Sequence, residues 1–327
     1  MSEHRLGLAS LAALCALSLV APAHAQSYPS RPITMIEPFP PGGPTDAVAR
    51  IVAEGMRAAL GQPVIIENVS GAGGTIGVAR LARAAADGYT IGIGQPVSHV
   101  FSGAVYNVHY DLLNDFQPIA LLSSSPLWVL GSASLPANDI SELIAWLKSN
   151  PDKATFGMIG QGSPTHVWAI HFQTITGTRF QFVPYRGAAA VMQELLAGRL
   201  DLSGLEAPYT LPQVRSGKVK AYAVLGETRW PGAPAIPTIA EAGVPGLSMS
   251  LWYGLWCPKG TPQEVIARLN AAAVAALGDP ELARRLGDLG QEIPPRASQT
   301  PEALGAFQKA EIAKWWPISK AANIKAE

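Results

Sequence analysis

The chain of 327 residues has very little cysteine and no excess of charge of either sign. Cys15 and Cys257 are its two cysteines, and Cys15 lies in an N-terminal segment that we expect to be removed. The mature chain therefore has no internal disulfide bond. Basic and acidic residues number 24 each, so the net charge is zero. A neutral chain offers no general attraction to nucleic acid or to an anionic membrane, and any anion must be bound by local geometry.

A long apolar run stands at the N-terminus, at residues 6–20, directly after Arg5. It ends in the small-residue pattern Ala23-His24-Ala25, which predicts a secretory signal peptide cleaved after Ala25. The run is too short for a stable membrane span. Leu14 is bulkier than the small residue that a lipoprotein signal needs before Cys15. We therefore expect export to the periplasm as a soluble protein without a lipid anchor.

Short apolar strands alternate with helices along the mature chain. The predicted strands are residues 32–37, 64–67, 89–93, 127–130, 154–157, 182–185, 200–202, 220–225 and 250–256. The predicted helices are residues 45–60, 75–86, 140–148, 165–176, 188–197, 263–277 and 280–289. Strands and helices of these lengths are typical of parallel sheets covered on both faces.

About 300 mature residues, rich in hydrophobic side chains, suit two domains rather than one. The strand at 250–256 is predicted to return the chain to the first domain. We therefore predict a signal peptide at 1–25, a discontinuous first domain at 26–125 and 249–327, and a continuous second domain at 126–248. Crossovers near 124–126 and 249–251 would connect the two domains.

Two glycine-rich loops, 39–46 and 160–166, each lie between the end of a predicted strand and the start of a predicted helix. The first N–H groups of a helix lack intrahelical partners, and the helix dipole is positive there, so such a loop suits an anion. Glycine lets a carboxylate approach the backbone. The hydroxyls of Thr45, Ser163 and Thr165 are predicted either to bind the ligand or to cap their helices. Two such loops in two domains favour a binding site.

Three other kinds of site have weaker support. In the glycine-rich loop 71–77, Ile76 occupies the position of the third glycine of a dinucleotide-binding motif, so we predict a structural loop. The histidines at 99, 109, 166 and 171 have no Cys, Asp or Glu at metal-ligand spacing. The chain has no G-x-S-x-G nucleophile motif. We expect no cofactor, no metal and no enzymatic activity. For His166, ligand contact and a capping or core role both stay open.

Several short motifs, in a constant order over the mature chain, carry a family resemblance. They are Tyr28-Pro29-x-Arg31-Pro32-Ile33, Pro41-Gly42-Gly43-x-x-Asp46-x-x-Ala49-Arg50, Gly71-Ala72-Gly73-Gly74-x-x-Gly77, Asp87-Gly88-Tyr89-Thr90, Pro184-Tyr185-Arg186-Gly187, Leu196-Ala197-Gly198-Arg199-Leu200-Asp201, Pro237-Thr238-Ile239-Ala240-Glu241-Ala242-Gly243 and Trp252-Tyr253-Gly254. Together they resemble the Bug/TctC family, the extracytoplasmic receptors of tripartite tricarboxylate transporters.

The resemblance implies a type II periplasmic-binding-protein fold, in which two α/β domains with parallel-rich sheets close on a ligand in the cleft between them. It implies carboxylate capture by backbone amides of the two loops, with further walls from the segments 95–99 and 185–188. The expected ligand-binding residues are Phe39, Pro41, Gly42, Gly43, Thr45, Asp46, Gln95, Ser98, Gly160, Gly162, Ser163, Thr165, His166, Tyr185, Arg186, Gly187, Ala188 and Glu206.

Two comparisons with the family pattern concern the other end of the ligand. Ser102-Gly103 stand where the family often has Asn-Pro. The family commonly has an acid or amide at the position of Glu206, which either contacts a ligand amine or water or is an unrelated surface acid. Arg186 either neutralises a second carboxylate or is a solvated arginine at a strand end.

The expected function is capture of a small carboxylate by domain closure, followed by delivery to the membrane permease subunits of a tripartite tricarboxylate transporter. We favour a dicarboxylate, and an aromatic dicarboxylate is one candidate. A ligand-sensing receptor without transport is an alternative, and a nucleotide-dependent oxidoreductase that uses loop 71–77 is a weaker one. No nucleic-acid partner is expected, and the protein is expected to be a monomer.

The first prediction concerns processing. When the full chain is expressed with a secretion pathway, the exported protein should begin near Gln26 and run as a monomer in a non-reducing gel, since one cysteine remains. Intact-mass analysis of the purified protein measures the cleavage site. A mass that retains residues before Ala25, or that includes a lipid on Cys15, would contradict the prediction.

Overall fold

The structure of the protein, a computed structural model, describes residues 28–185 and 187–324. The predicted signal peptide and Arg186 lie outside the described residues. From Arg31 onward the chain forms one compact unit. The division into two domains at 125/126 and 248/249 therefore stays a prediction.

The first part of the chain alternates short strands with helices and ends in one very long strand. In chain order its elements are β1 (Ile33–Glu37), α1 (Pro44–Leu60), β2 (Val64–Asn68), a 3₁₀ turn (Ala72–Gly74), α2 (Thr75–Ala82), β3 (Thr90–Gly94), a π-helical turn (Val97–Phe101), α3 (Ser102–Val105) and β4 (Phe116–Ser132). Pro44, which needs no hydrogen bond for its nitrogen, starts α1, and the left-handed Gly61 ends it.

The second part repeats the alternation and ends in helices. Its elements are α4 (Ile140–Ser149), β5 (Thr155–Met158), α5 (Pro164–Thr176), β6 (Gln181–Pro184), α6 (Ala188–Leu196), β7 (Leu202–Glu206), α7 (Ala207–Arg215), β8 (Val219–Val224), β9 (Ser250–Pro258), α8 (Gln263–Gly278), α9 (Pro280–Asp288), a 3₁₀ turn (Arg296–Ser298) and α10 (Pro301–Ala321). Among the described residues, no helix combines the length and the apolar character that crossing a membrane requires.

The strands form one mixed sheet in the order β2–β1–β3–β9–β4–β7–β5–β6, with β8 paired to β4. The pairs of β1 with β2 and β3 are parallel, as are those of β5 with β6 and β7. The pairs that β4 and β9 make are antiparallel. The sheet is therefore mixed rather than wholly parallel, within the expected α/β class.

β4 belongs to both halves of this sheet. Its residues 116–126 pair with β9, whereas its residues 127–132 pair with β7 and β8. We call β1, β2, β3, β9 and residues 116–126 the first half-sheet, and β5 to β8 with residues 127–132 the second half-sheet. The change of partner falls where Pro126 faces Ser250 and Leu127 faces Glu206. The chain thus passes from the first half-sheet to the second along β4 and returns in the segment that leads into β9.

Most predicted elements are present within two or three residues of their expected bounds. The helix predicted to run to residue 86 ends at Ala82. The first eleven residues of β4, together with α7 and α10, were not predicted. Prolines occupy all three segments: Pro118 lies in β4, Pro212 inside α7 and Pro317 inside α10. Tertiary packing outweighs the local preference of proline at these positions.

Helix α1 packs against α8 and α9 with almost no space at Gly55. A β-carbon on Gly55 would lie 2.4 Å from the β-carbon of Ala276 and 2.5 Å from a methyl group of Leu282. Protein interiors are packed too densely to absorb such contacts without movement. The absence of a side chain at Gly55 therefore sets how closely these helices approach.

The second prediction tests this packing. Gly55→Ala should lower the free energy of unfolding by about 1–3 kcal/mol, because the overpacking outweighs the better helix propensity of alanine. Gly287→Ala in α9 is the matched control, since a β-carbon there meets no atom within 4 Å. It should be neutral or stabilising by up to about 1 kcal/mol. Urea unfolding measures both, and equal values for the two variants would refute the packing argument.

Candidate functional site

A cleft of about 690 Å³ lies between the half-sheets, at the carboxyl ends of the strands. This is the edge at which α/β sheets usually bind ligands. Its polar lining residues are Gln95, Ser163, Thr165, Glu206, Tyr209 and Gln291. The rest of the lining consists of glycine, alanine, proline and larger aliphatic residues from both half-sheets. The cleft is therefore an apolar space with a few polar groups.

Four helices begin at this cleft, namely α1, α5, α6 and α7. Their residues Pro44, Pro164 and Ala188, and Glu206 directly before α7, line it. The N-cap residues of α1, α6 and α7 are Gly43, Gly187 and Glu206, and none of them caps its helix with a side-chain hydrogen bond. The helices that begin away from the cleft are of both kinds, since side chains cap α4, α9 and α10 but not α2, α3 or α8. Uncapped N–H groups and positive dipole ends thus face the cleft, and they favour an anion.

Asp46 holds the loop before α1 in shape by a hydrogen bond on the side away from the cleft. Gly42, whose φ is 83°, donates its N–H to Asp46 Oδ2 at 3.0 Å. Arg50 donates from Nε to the same oxygen at 2.8 Å. Arg50, with the hydrogen bonds from Gly42 and Asn68, holds the pKa of Asp46 well below its usual range, at about 2. Asp46 is buried and shapes the loop without lining the cleft.

The loop before α5 is closed in the same way by His166. Gly162, whose φ is 73°, donates its N–H to His166 Nδ1 at 3.1 Å, so this nitrogen carries no proton. Burial lowers the pKa of His166, which keeps the ring neutral. Its ring lies edge-on to Phe182, with 4.8 Å between centroids. The structure thus gives His166 a structural contact, and its contact with a ligand stays a prediction.

The structure brings seven of the predicted ligand-binding residues together around the cleft. They are Gly42, Gly43, Gln95, Ser163, Thr165, Ala188 and Glu206. Gly160 and Gly162 line a smaller adjoining cavity of about 220 Å³. The side chain of Ser163 accepts from His166 N at 3.3 Å, so Ser163 also caps α5.

The other predicted residues that the structure describes lie outside the cleft lining. Ser98 is buried, with its hydroxyl bonded to the carbonyl of Gln95. Thr45 is buried beside Tyr253, and Tyr185 packs against a hydrophobic cluster of the second half-sheet. Phe39 and Pro41 belong to the loop before α1, and Gly187 is the N-cap of α6.

A polar cluster behind the first loop was not predicted. The side-chain amide nitrogen of Asn68 lies 2.6 Å from Glu37 Oε2, 3.0 Å from Asp46 Oδ1 and 3.2 Å from the carbonyl oxygen of Phe39. Glu37 is fully buried, and its Oε1 has no hydrogen-bond partner. Burial raises the pKa of Glu37 to about 7. Asn68 therefore connects the end of β1, the loop and α1. In the sequence, the position of Asn68 at the end of β2 was the one sign of this role.

Glu206 is the only charged side chain among the described residues that line the cleft. Burial raises its pKa, and a hydrogen bond with Ser125 opposes the shift. The phenol of Tyr253 lies close by. Burial raises the pKa of Tyr253, and the carboxylates of Glu206 and Glu37 add to this effect. The described residues also include no cluster of three or more His, Cys, Asp or Glu side chains that could hold a metal ion.

Two half-sheets that share β4 and have a cleft with open helix starts between them are the architecture of an α/β solute-binding protein. A family model described as "Tripartite tricarboxylate transporter family receptor" matches residues 48–324. The chain belongs to this family, which confirms the resemblance to Bug/TctC receptors. The family consists of solute-binding receptors, and its members are periplasmic.

Three solved structures are similar to this chain. Periplasmic binding protein BugD is 38% identical with a TM-score of 0.74, over 91% of this chain and 100% of that chain. MatC from Rhodopseudomonas palustris, with bound malate, is 35% identical with a TM-score of 0.75, over 89% and 100%. Rpa4515 from R. palustris, with adipate, is 34% identical with a TM-score of 0.76, over 91% and 100%. These likenesses confirm the type II periplasmic-binding-protein fold.

The third prediction follows from Glu37. Because its pKa is about 7 in the folded state and 4.5 ordinarily, the folded state holds a proton that the unfolded chain releases. Stability should therefore fall as the pH rises from about 4.5 to about 7, by up to roughly 3 kcal/mol, and then level off. Glu37→Gln should abolish this part of the pH dependence, as measured by urea unfolding at pH 5 and pH 8.

Glu302→Gln serves as the control for this experiment, since Glu302 is exposed at the start of α10. It should keep the pH dependence of the unaltered protein. An unchanged pH dependence in Glu37→Gln would show that Glu37 does not hold the proton.

Proposed function

We propose that this protein is an exported solute-binding protein that captures a small carboxylate in the cleft and delivers it to a tripartite tricarboxylate transporter. The observation that carries the proposal is the set of four helix starts at one apolar cleft, three without a side-chain cap. Helix starts of this kind bind carboxylates through backbone N–H groups. The malate and adipate bound to MatC and Rpa4515 support a carboxylate as the ligand.

The carboxylate is proposed to contact the starts of α1 and α5, which belong to different half-sheets. Gly42 and Gly162 already donate their N–H groups to Asp46 and His166. The amides left for the ligand are therefore those of Gly43 and of the first turns of the two helices. The hydroxyl of Thr165, which lines the cleft, is a further donor.

Capture is proposed to proceed by closure of two domains, 26–125 with 249–327 and 126–248. The hinge would be the paired strand segments where Ser125 faces Leu251 and Pro126 faces Ser250. A ligand that contacts both sides of the cleft stabilises the closed form, because it binds that form better than the open one. No bond is made or broken, so the role is transport rather than catalysis. The signal peptide 1–25, the periplasmic location and the monomeric state belong to the same proposal.

The chemical group at the second end of the ligand separates two classes of ligand, those with a second carboxylate and those without one. A dicarboxylate agrees with the ligands of MatC and Rpa4515. An acidic side chain in the cleft, Glu206, opposes a second carboxylate nearby. The first carboxylate is common to both classes, and the test of the proposed function addresses it alone.

The fourth prediction concerns carboxylate capture. Isothermal titration calorimetry of the mature chain against mono- and dicarboxylates and amino acids should find at least one that binds. Its methyl ester should bind at least about tenfold more weakly, since the charge-assisted hydrogen bonds at the helix starts are lost.

Ala189→Trp should abolish this binding, because Ala189 is an exposed residue of the cleft lining and a tryptophan there fills the cleft. Ala197→Trp is the matched control, at the exposed opposite end of the same helix and outside the cleft. Failure of all carboxylates to bind, or normal binding by Ala189→Trp, would refute the proposed function.

A further inference from the structure

We propose that Glu206 makes the cleft selective for zwitterionic amino carboxylates, whose ammonium group it binds while the helix starts bind the carboxylate. The proposal rests on the proposed function and names its class of ligand. It concerns the end of the ligand that the backbone amides do not contact.

Glu206 has a position suited to such a contact. It is the last residue of β7 and directly precedes α7, and its side chain lines the cleft. In the sheet it faces Leu127 of β4, next to the point where β4 leaves β9. It therefore lies at the inner end of the cleft, close to the strands that connect the half-sheets.

Among the described residues, Glu206 has no partner of opposite charge. Its carboxylate does not cap α7, although a glutamate before a helix start could do so. No lysine or arginine of the described residues forms an ion pair with it. The hydroxyl of Ser125 is its polar neighbour. Because buried charges are normally paired, an unpaired carboxylate in a binding cleft points to a cation supplied by the ligand.

The balance of charge favours the same class of ligand. No lysine, arginine or histidine stands among the described residues of the cleft lining. A dicarboxylate would place two negative charges beside that of Glu206 in an apolar space, where the described lining offers helix dipoles but no basic side chain to offset them. A zwitterion brings one negative and one positive charge. Its carboxylate meets the helix starts, and its ammonium group neutralises Glu206.

The walls between the two ends of the ligand are apolar. Val48 and Val97 come from the first half-sheet side, and Leu127, Ile159 and Leu205 from the second. Exclusion of water by such walls strengthens an ion pair inside the closed cleft. The carbon frame of the ligand should accordingly be apolar, without further charged groups.

The experiment compares ligands that differ in a single group. Calorimetry on the mature chain first screens the twenty standard amino acids together with 4-aminobutanoate and 6-aminohexanoate. The zwitterion that binds most tightly is then compared with two analogues, one with hydrogen and one with carboxylate in place of the ammonium group. For 6-aminohexanoate these analogues are hexanoate and adipate. The zwitterion should bind at least about tenfold more tightly than either analogue.

Variants of Glu206 connect this preference to the side chain. Glu206→Gln should weaken binding of the zwitterion at least about tenfold and change binding of the hydrogen analogue less than about threefold. Glu206→Asp keeps the charge and should retain the preference for the ammonium group. Glu302→Gln, an exposed acid outside the cleft, should change nothing. Binding of the hydrogen analogue by each variant also shows that the variant is folded.

The outcomes separate this inference from the proposed function. Binding of a carboxylate with no preference for the ammonium group overturns the inference alone, as does tighter binding of the dicarboxylate. Equal weakening of both ligands by Glu206→Gln also overturns it, since that is the effect of a purely structural residue. If no carboxylate of either screen binds, both proposals fail.

Discussion

The antiparallel pairing of β4 with β9 is the interaction on which the rest of this structure depends. β4 pairs with β9 up to Pro126 and with β7 and β8 beyond it, so one strand belongs to both half-sheets. This pairing places the carboxyl ends of β1 and β5 on either side of one cleft. The helices that follow those strands then begin at the cleft from both sides. The cleft is thus a consequence of how these two strands pair.

A neutral protein that binds an anion must produce a local positive field without surplus basic residues. Here the side chains that hold the two loops in shape stand behind them. Asp46 and His166, each four residues after a left-handed glycine, accept the glycine N–H and fix the loop. Arg50 and Asn68 hold Asp46 in place by hydrogen bonds, and Phe182 packs edge-on against His166. The helix starts lie in front of these groups, at the cleft, and in the proposed function they bind the ligand.

The sequence predicts the position of the loops at the cleft better than the contacts that hold these loops in shape. Strand–glycine–helix patterns place the loops before α1 and α5 correctly, because positive φ and open helix starts are local properties. The family motifs add Gln95, Ala188 and Glu206, which do line the cleft. The loop-closing roles of Asp46 and His166 were not predicted, since an acid at a helix start also suits the dipole and a histidine suits a ligand. The contact of Asn68 with Glu37 depends on the register between β1 and β2, which a single sequence does not encode locally.

The individual contributions to binding in such a cleft are small, which makes closure the decisive step. A helix dipole contributes about 0.3–1 kcal/mol in water-exposed geometry, and both dipoles and ion pairs become stronger once water is excluded. Closure has a cost, however, if it buries a charge that has no partner. In the proposed mechanism, the empty cleft contains one such charge on Glu206 and a ligand carboxylate adds another at the helix starts. A ligand that balances both the charge on Glu206 and the charge of its own carboxylate allows the apolar walls to close around it. A ligand that leaves Glu206 unpaired opposes closure. Specificity would then arise less from the fit of the open cleft than from which ligands permit it to close.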